Sequence, residues 1–282
     1  MNIEEIVKDS VSYPLSDWKK ILMLGIIIVI SGIAGVAVSL NTTNIYLISL
    51  LVVIGFLVGF LVNGYMFRII KSSLDGKSGL PEFNNWIDMC INGLKVFIAF
   101  IIYLMPVILI ISLFVPVFFH STLTLESMGL TPLDLLINSL NSVTIPGIFS
   151  FIGILDYLSL VTPEGMLAFI IGMLYLFIIT PMLLVAIANM AYYEGEFRSA
   201  FRFSEILDEI RIIGRFNLIK WYLTTGILFL ILFTIISTCI VYIFNLADLS
   251  VIGGVLISLI ITPYFYMYFA RSVALYYMPD EE

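Results

Sequence analysis

The sequence predicts an all-α, polytopic membrane protein: six transmembrane helices in three in–out–in hairpins, with amphipathic helices along the inner face. Three observations lead to this prediction. The 282-residue chain is 61% hydrophobic and only 12% charged, whereas a soluble domain carries about 25% charged residues. All Lys and Arg residues lie outside three apolar windows of 47, 102 and 50 residues, which are Ile21–Phe67, Val96–Phe197 and Trp221–Ala270. Each window is long enough for two helices that cross a bilayer.

Six segments within these windows qualify as spans, because a helix needs about 20 apolar residues to cross roughly 30 Å of hydrocarbon. They are continuous apolar runs rather than alternating ones, which favours helices over a β-barrel. In chain order they are Ile21–Leu40, Ile45–Ile70, Leu94–Phe119, Met166–Met190, Trp221–Phe244 and Val251–Tyr268.

The positions of the basic residues indicate an orientation. If the N-terminus is inside, all 13 Lys and Arg residues face the cytoplasm and the outer segments carry only acids. This follows the positive-inside rule and predicts a multi-pass protein of the cell membrane with both termini cytoplasmic. We expect one integral membrane domain, 1–282, with hairpins at about 1–75, 76–200 and 201–282.

The three hairpins resemble one another and are predicted to be diverged repeats. A lysine opens each odd-numbered span, and a tryptophan lies near each lysine; the pairs are Lys20 with Trp18, Lys95 with Trp86, and Lys220 with Trp221. An indole favours the membrane interface, so all three tryptophans are expected there. The fourth and sixth spans share Ile-Ile-Thr-Pro, at 178–181 and 260–263. Chance matches within a biased composition are the alternative explanation.

An amphipathic stretch precedes each odd-numbered span and is expected to lie along the inner interface. These stretches cover residues 3–11, 87–94 and 203–213. The third carries charges of both signs, which argues against a helix that simply binds anionic lipid. Docking on neighbouring loops and docking on a partner protein remain as alternatives.

The middle hairpin carries an outer insertion at 120–165. Its apolar run 145–160 contains two glycines and a proline and is short for a span. We expect a re-entrant or an interfacial helix, and the sequence leaves both open. A seventh span would move the basic cluster at 198–220 outside, against the positive-inside rule.

Few residues offer chemistry. None of the predicted spans has an ionisable residue at its centre, where one would indicate a pump or an ion pathway. We therefore predict no catalytic, cofactor-binding or metal-binding residue, no cofactor, and a protein that is not an enzyme. The best polar candidates lie at the inner ends of the returning helices: Asn63, Arg68, Asn189 and Arg271. They would converge if the repeats are real, and either close a pocket or anchor the helices at the headgroups.

Small residues predict close helix packing. Gly55 and Gly59 form a Gly-x-x-x-Gly pair in the second span, and Ser31 and Gly35 form a similar pair in the first. Such pairs let two helix backbones approach closely. Packing inside the bundle is favoured over a dimer contact.

One loop resembles a known family. The stretch Gly79-Leu80-Pro81-Glu82-Phe83-Asn84-Asn85-Trp86, followed by Gly93-Leu94-Lys95, and then Tyr103 and Pro106, is similar to the uncharacterised archaeal and bacterial membrane family called domain of unknown function 4013. The resemblance covers most of the chain and implies an integral membrane protein. It implies no activity and no site residues.

These observations favour a non-enzymatic protein that organises or binds membrane components through its inner-face amphipathic segments. The alternative is a permease or channel-like carrier of a small neutral or lipidic solute, which would need a cavity lined by Asn63, Asn189 and Thr180. The expected partners are the lipid bilayer and either another membrane protein or further copies of this chain; no nucleic acid is expected.

Overall fold

The computed structural model describes residues 3–40, 42, 44–118 and 163–278, and the regular structure in these ranges is helical. The helices are α1 Ile3–Ser12, α2 Trp18–Ser31, α3 Ile33–Ser39, α4 Ile45–Leu74, α5 Trp86–Phe118, α6 Pro163–Tyr192, α7 Phe203–Ile213, α8 Arg215–Leu246, α9 Ser250–Leu256 and α10 Thr262–Tyr277. Short 3₁₀ turns lie at Pro14–Ser16 and Phe197–Phe201, and a π-helical turn, Ile257–Ile261, joins α9 to α10. Most of the predicted outer insertion at 120–165, including the run 145–160, lies outside the described residues.

Five of the described helices are long and apolar enough to cross a membrane. They are Ile45–Leu74, Trp86–Leu109, Ile170–Tyr192, Phe216–Leu246 and Ser250–Tyr277. The predicted first span is broken: α2 and α3 qualify only as a pair, and they are bent by 63° where they meet. The all-helical membrane class is therefore confirmed with five to six candidate spans. The arrangement of six spans in three hairpins stays a prediction.

The amphipathic stretches differ in how they are built. The first and third are separate helices, α1 and α7, as the sequence predicts. The second is continuous with the third span, because α5 begins at Trp86. Its apolar residues Ile87, Ile91 and Leu94 are exposed, and Ile98 and Ile102 extend the same stripe along α5. This spacing of three and four residues makes one apolar helix face rather than a separate surface helix.

The described residues group into two compact units. The described residues within 1–100 and 181–282 form the first unit, and those within 101–180 form the second. Within the first unit, α10 is the most enclosed helix and packs against α1, α2 and α4. Within the second, the Tyr175 hydroxyl donates a 2.9 Å hydrogen bond to the Tyr103 carbonyl and so joins α6 to α5.

Glycines permit close contacts between helices of the first unit, among them α2 with α4 and α4 with α5. A Cβ placed on Gly55 would overlap the Ser31 carbonyl oxygen, so α2 and α4 approach closely there, and this glycine serves packing inside the bundle. By contrast, Gly59 has open space around it. A second contact joins α4 to α5, because a Cβ on Gly93 would overlap the Phe60 carbonyl oxygen. Within the Gly-x-x-x-Gly pair, Gly55 therefore makes a close contact, whereas the contact at Gly93 lies outside that pattern.

The three tryptophans do not share one environment. Trp18 and Trp86 are exposed, as expected for interface anchors, but Trp221 is only 1% exposed. Its indole N–H donates a 3.0 Å hydrogen bond to the Ser272 hydroxyl, and its ring stacks on Tyr276 at 4.4 Å between centroids. A buried indole needs a partner for its N–H, and α10 supplies it, so Trp221 packs against α10 instead of standing exposed; its position at the membrane interface stays a prediction.

Candidate binding site at the basic end

The candidate site is built around an irregular segment, residues 75–85, which connects α4 to α5 in the first unit. Gly76, with φ of 76°, turns the chain away from α4, and Asn85, with φ of 47°, precedes α5. The segment has no helical ladder for its own carbonyls, so these groups need other donors. We call this region, with the helix ends around it, the basic end, because Lys20, Arg68 and Arg271 all bond to the segment.

Side chains from α2, α4, α10 and the turn after α1 clamp the segment by its carbonyl oxygens. The donor–acceptor pairs are Arg271 to Lys77 (3.1 Å), Tyr13 to Gly79 (3.2 Å), Lys20 to Leu80 (2.7 Å), Tyr65 to Pro81 (3.1 Å), and Arg68 to Glu82 (2.9 Å) and Asn84 (2.7 Å). Bonds from charged donors are the stronger kind. A stretch without secondary structure is thereby given a fixed shape.

Arg271 joins three parts of the chain at this clamp. Its Nε lies 2.8 Å from Asp9 Oδ1 on α1, and its Nη1 reaches the Lys77 carbonyl. Its guanidinium also lies over the Tyr13 ring, 4.8 Å from the centroid, in a cation–π contact. Arg271 is 7% exposed. A charge this enclosed requires such partners.

Burial also acts on Tyr13. It raises the pKa of the Tyr13 phenol above its usual value of 10.0, and contacts with Ser72, Ser73 and Arg271 offset part of that rise. The phenol is therefore neutral at physiological pH. It keeps the proton that it donates to the Gly79 carbonyl.

Beside the segment lies a polar cavity of roughly 860 Å³. Four basic side chains line it, and they are Arg68, Lys71, Lys77 and Lys95. Four acidic side chains line it as well, and they are Asp75, Glu82, Asp88 and Glu194. The lining therefore carries no net charge, and such a mixed surface suits a polar ligand rather than an apolar one.

Ion pairs form part of the cavity wall. Lys71 on α4 pairs with Glu194 in the turn after α6, and Lys77 pairs with Asp75 at 3.1 Å. Glu194 has φ of 56°, a left-handed conformation that costs a non-glycine residue energy. Asn85, the other wall residue with positive φ, lies at the start of α5. Backbone strain of this kind concentrates at functional sites.

The lysines that open the first and third predicted spans make equivalent bonds. Lys20 donates to the Leu80 carbonyl, in the segment after α4, and Lys95 donates to the Gly195 carbonyl at 2.9 Å, in the turn after α6. Each lysine thus binds the chain just beyond the returning helix of its own hairpin. For Lys220 the corresponding segment, 279–282, lies outside the described residues.

The structure brings together only part of the predicted polar set. Arg68 and Arg271 bind the two ends of the same segment. Asn189 lies elsewhere: it donates to the Ser199 carbonyl at 3.0 Å and accepts from the Tyr277 hydroxyl at 2.8 Å. Asn63 is half-buried in α4, and its side chain makes no hydrogen bond with the described residues. The polar cavity is not lined by Asn63, Asn189 or Thr180. A second, smaller and apolar cavity, beside Trp18 and Phe265, is not lined by them either.

Sequence reasoning missed several members of the site. Tyr13, Lys20 and Tyr65 act through long-range bonds to the segment, which no local spacing reveals. The signal that was present is the polar loop motif at 79–86, whose carbonyls turn out to be the acceptors.

The fold and the site together define a class: a chain that is helical in its described regular structure, with the apolar helices of a multi-pass membrane protein and a polar site at one end. Within that class the family is shown. Residues 47–241 match the model of the family described as protein of unknown function, DUF4013, and the chain belongs to that family. No curated protein and no solved structure matches the chain.

Proposed function

We propose that this protein is a non-enzymatic protein of the cell membrane which organises other membrane components, and that it docks a partner protein on α7. The single observation that carries the proposal is the apolar face of α7, part of which stays exposed among the described residues. Ile206 is fully buried and Ile210 nearly so, whereas Phe203 and Leu207 on the same face are 48% and 50% exposed.

The charges on α7 favour a protein over anionic lipid. Arg202 pairs with Glu205 at 3.4 Å, and Arg211 pairs with Asp208 at 2.9 Å, both between residues three apart. A helix that binds anionic headgroups offers several unpaired cations. Here the described arginines beside the apolar face already have carboxylate partners, so the exposed strip suits the apolar surface of another membrane protein.

A site-specific cross-linker at residue 207 tests this docking. Benzoylphenylalanine at Leu207 should give one cross-linked protein product in native membranes, and at Asp208, the neighbouring exposed position, it should not. The product should weaken when Phe203→Ser narrows the apolar strip. Products of equal intensity from both positions, or cross-links to lipid alone, would contradict the proposal.

We also propose that the basic end and both termini face the cytoplasm, because the basic residues collect there. Cys90 on α5 is half-buried at this end. In a Cys239→Ala background it should resist a membrane-impermeant maleimide in intact cells and react after permeabilisation. Labelling of Cys90 in intact cells would contradict this orientation and place the basic end outside the cell.

A carrier of a small solute is the second candidate, and the polar cavity is what favours it. If the protein is a carrier, proteoliposomes that contain the purified protein should take up a polar solute. A flux equal to that of empty vesicles, over a panel of small polar solutes, would remove this candidate.

A further inference from the structure

One face of α5 inside the polar cavity carries a ladder of opposite charges. Asp88, Asn92 and Lys95 are spaced by four and three residues, so they lie on the same side of the helix. Asn92 Nδ2 donates to Asp88 Oδ1 at 3.2 Å, and Lys95 Nζ donates to Asn92 Oδ1 at 3.2 Å. We call this set the charge ladder.

Lys95 is the cation of the cavity that lacks a carboxylate partner among the described residues. Its ammonium donates only to Asn92 and to the Gly195 carbonyl, and it is half-buried. The other three cavity cations each have a carboxylate partner. A half-buried charge without a counter-ion favours binding of an anion.

Asp88 provides the opposite end of the ladder. Its carboxylate is 62% exposed, and its ion pair with Arg68 is long, at 3.5 Å. It can therefore accept an ammonium group without losing a strong existing bond. Asp88 and Lys95 are seven positions apart, which corresponds to about 10 Å along the helix axis, a distance that the two side chains and a short ligand span together.

We propose that the charge ladder binds a small zwitterion, with a phosphate or carboxylate at Lys95 and an ammonium group at Asp88. A ligand of one charge sign would satisfy one end of the ladder and be repelled by the other. The order of the charges also fits a phospholipid headgroup of the ethanolamine type. Lys95 lies nearer the apolar part of α5, where a lipid phosphate would sit, and Asp88 lies toward the polar end, where the amine would sit.

The test uses the purified, full-length protein and two forms of the same headgroup. Free glycerophosphoethanolamine is titrated by calorimetry, and phosphatidylethanolamine is offered in nanodiscs and detected by native mass spectrometry. Binding of the free compound identifies a soluble zwitterion as the ligand class, and binding of the lipid alone identifies a headgroup. Failure of both probes to bind overturns the proposal.

Matched variants separate the ladder from charges elsewhere on the protein. Lys95→Gln and Asp88→Asn should each weaken binding about tenfold or more, since each removes a charge-assisted hydrogen bond. Arg211→Gln and Asp208→Asn make corresponding charge changes at an exposed ion pair on α7, outside the cavity, and should bind like wild type. Lys95→Arg should recover binding, because it keeps the charge.

Two results would overturn the proposal on these variants. The first is equal binding of the zwitterion by Asp88→Asn and by the wild type. Because the Asp88 side chain is exposed, this variant is expected to fold even if Lys95→Gln does not. The second is binding of anionic phosphatidylglycerol as tight as that of phosphatidylethanolamine, which would show an anion site rather than a zwitterion site. Binding at the charge ladder does not involve α7, so its outcome is separate from that of the proposed docking.

Discussion

Arg271 and Asp9 form an ion pair between α10 and α1, with 2.8 Å between Nε and Oδ1, across 262 residues of sequence. The same guanidinium donates to the Lys77 carbonyl of the clamped segment. This pair therefore ties the beginning of the chain, its last described helix and the segment that borders the cavity. We therefore expect the shape of the basic end to depend on this contact.

Removing Arg271 should be costly, and removing Asp9 less so. Arg271→Gln loses the ion pair, the carbonyl bond and the contact with Tyr13, and we expect a loss of about 3 kcal/mol. Asp9→Asn should cost less, because the Asp9 side chain is 41% exposed. Unfolding in detergent by SDS titration measures both variants. The double variant should cost less than the sum of the singles, as residues in contact are coupled.

The control for this prediction is an exposed ion pair of the same type. Arg211 and Asp208 pair at 2.9 Å on the surface of α7. Arg211→Gln should change the stability by at most about 1 kcal/mol. Equal losses for Arg271→Gln and Arg211→Gln would show that burial of the Arg271 pair has no consequence.

A methyl group on Gly93 should separate α4 from α5. Gly93→Ala would place a carbon atom onto the Phe60 carbonyl oxygen, and such overpacking costs about 1–3 kcal/mol. Gly59→Ala is the matched control, because its surroundings are open, and it should be neutral or stabilising by up to about 1 kcal/mol. Thermal unfolding in detergent compares the two. A Gly93→Ala protein as stable as Gly59→Ala would disprove the close contact.

The hydrogen bond of the buried indole should be measurable. Ser272→Ala leaves the Trp221 N–H without its partner, and an unsatisfied buried donor costs about 1–3 kcal/mol. Ser204 is an exposed serine on α7, and Ser204→Ala should fall within about 0.5 kcal/mol of wild type. Near-ultraviolet circular dichroism should report a changed Trp221 environment in Ser272→Ala alone.

Ionisation of Tyr13 should lower the free energy of unfolding at alkaline pH. Its pKa in the folded protein lies above 10.0, whereas the unfolded chain ionises near 10.0. Above that pH the unfolded state binds fewer protons than the folded state, so stability falls as pH rises. Tyr13→Phe removes this contribution and should show a shallower decline as the pH rises above 10.0. Parallel pH curves for the two proteins would contradict the assignment.

The hydrophobic helices could be predicted from the sequence because their signal is local. About 20 apolar residues must be helical in lipid whatever they contact, and α4, α6 and α8 follow this rule. The bend between α2 and α3 was not predicted, since neither a proline nor a charge interrupts that run. The sequence also did not predict that α5 is one helix, because the amphipathic stretch 87–94 and the apolar span after it have different hydrophobic patterns.

The site was harder to predict because its bonds are distant in sequence. Arg68 and Arg271 were chosen as the polar residues that end returning helices, and both do bind the clamped segment. Asn189 was chosen by the same rule, but it does not bind the segment and forms hydrogen bonds with Ser199 and Tyr277 instead. The burial of Trp221 depends on Ser272, 51 residues away, and composition alone favours an interfacial indole.

The clamped segment itself is tested most directly by hydrogen exchange, measured by mass spectrometry on the protein in nanodiscs. We expect slow exchange of peptides covering 75–85 in the wild type. In Arg271→Gln the same peptides and those of α1 should exchange at least about tenfold faster, while α8 should be unchanged, because the loss of a buried charged contact opens only the region that it holds. Exchange in 75–85 as fast as in an unstructured peptide, or unchanged by Arg271→Gln, would contradict the account.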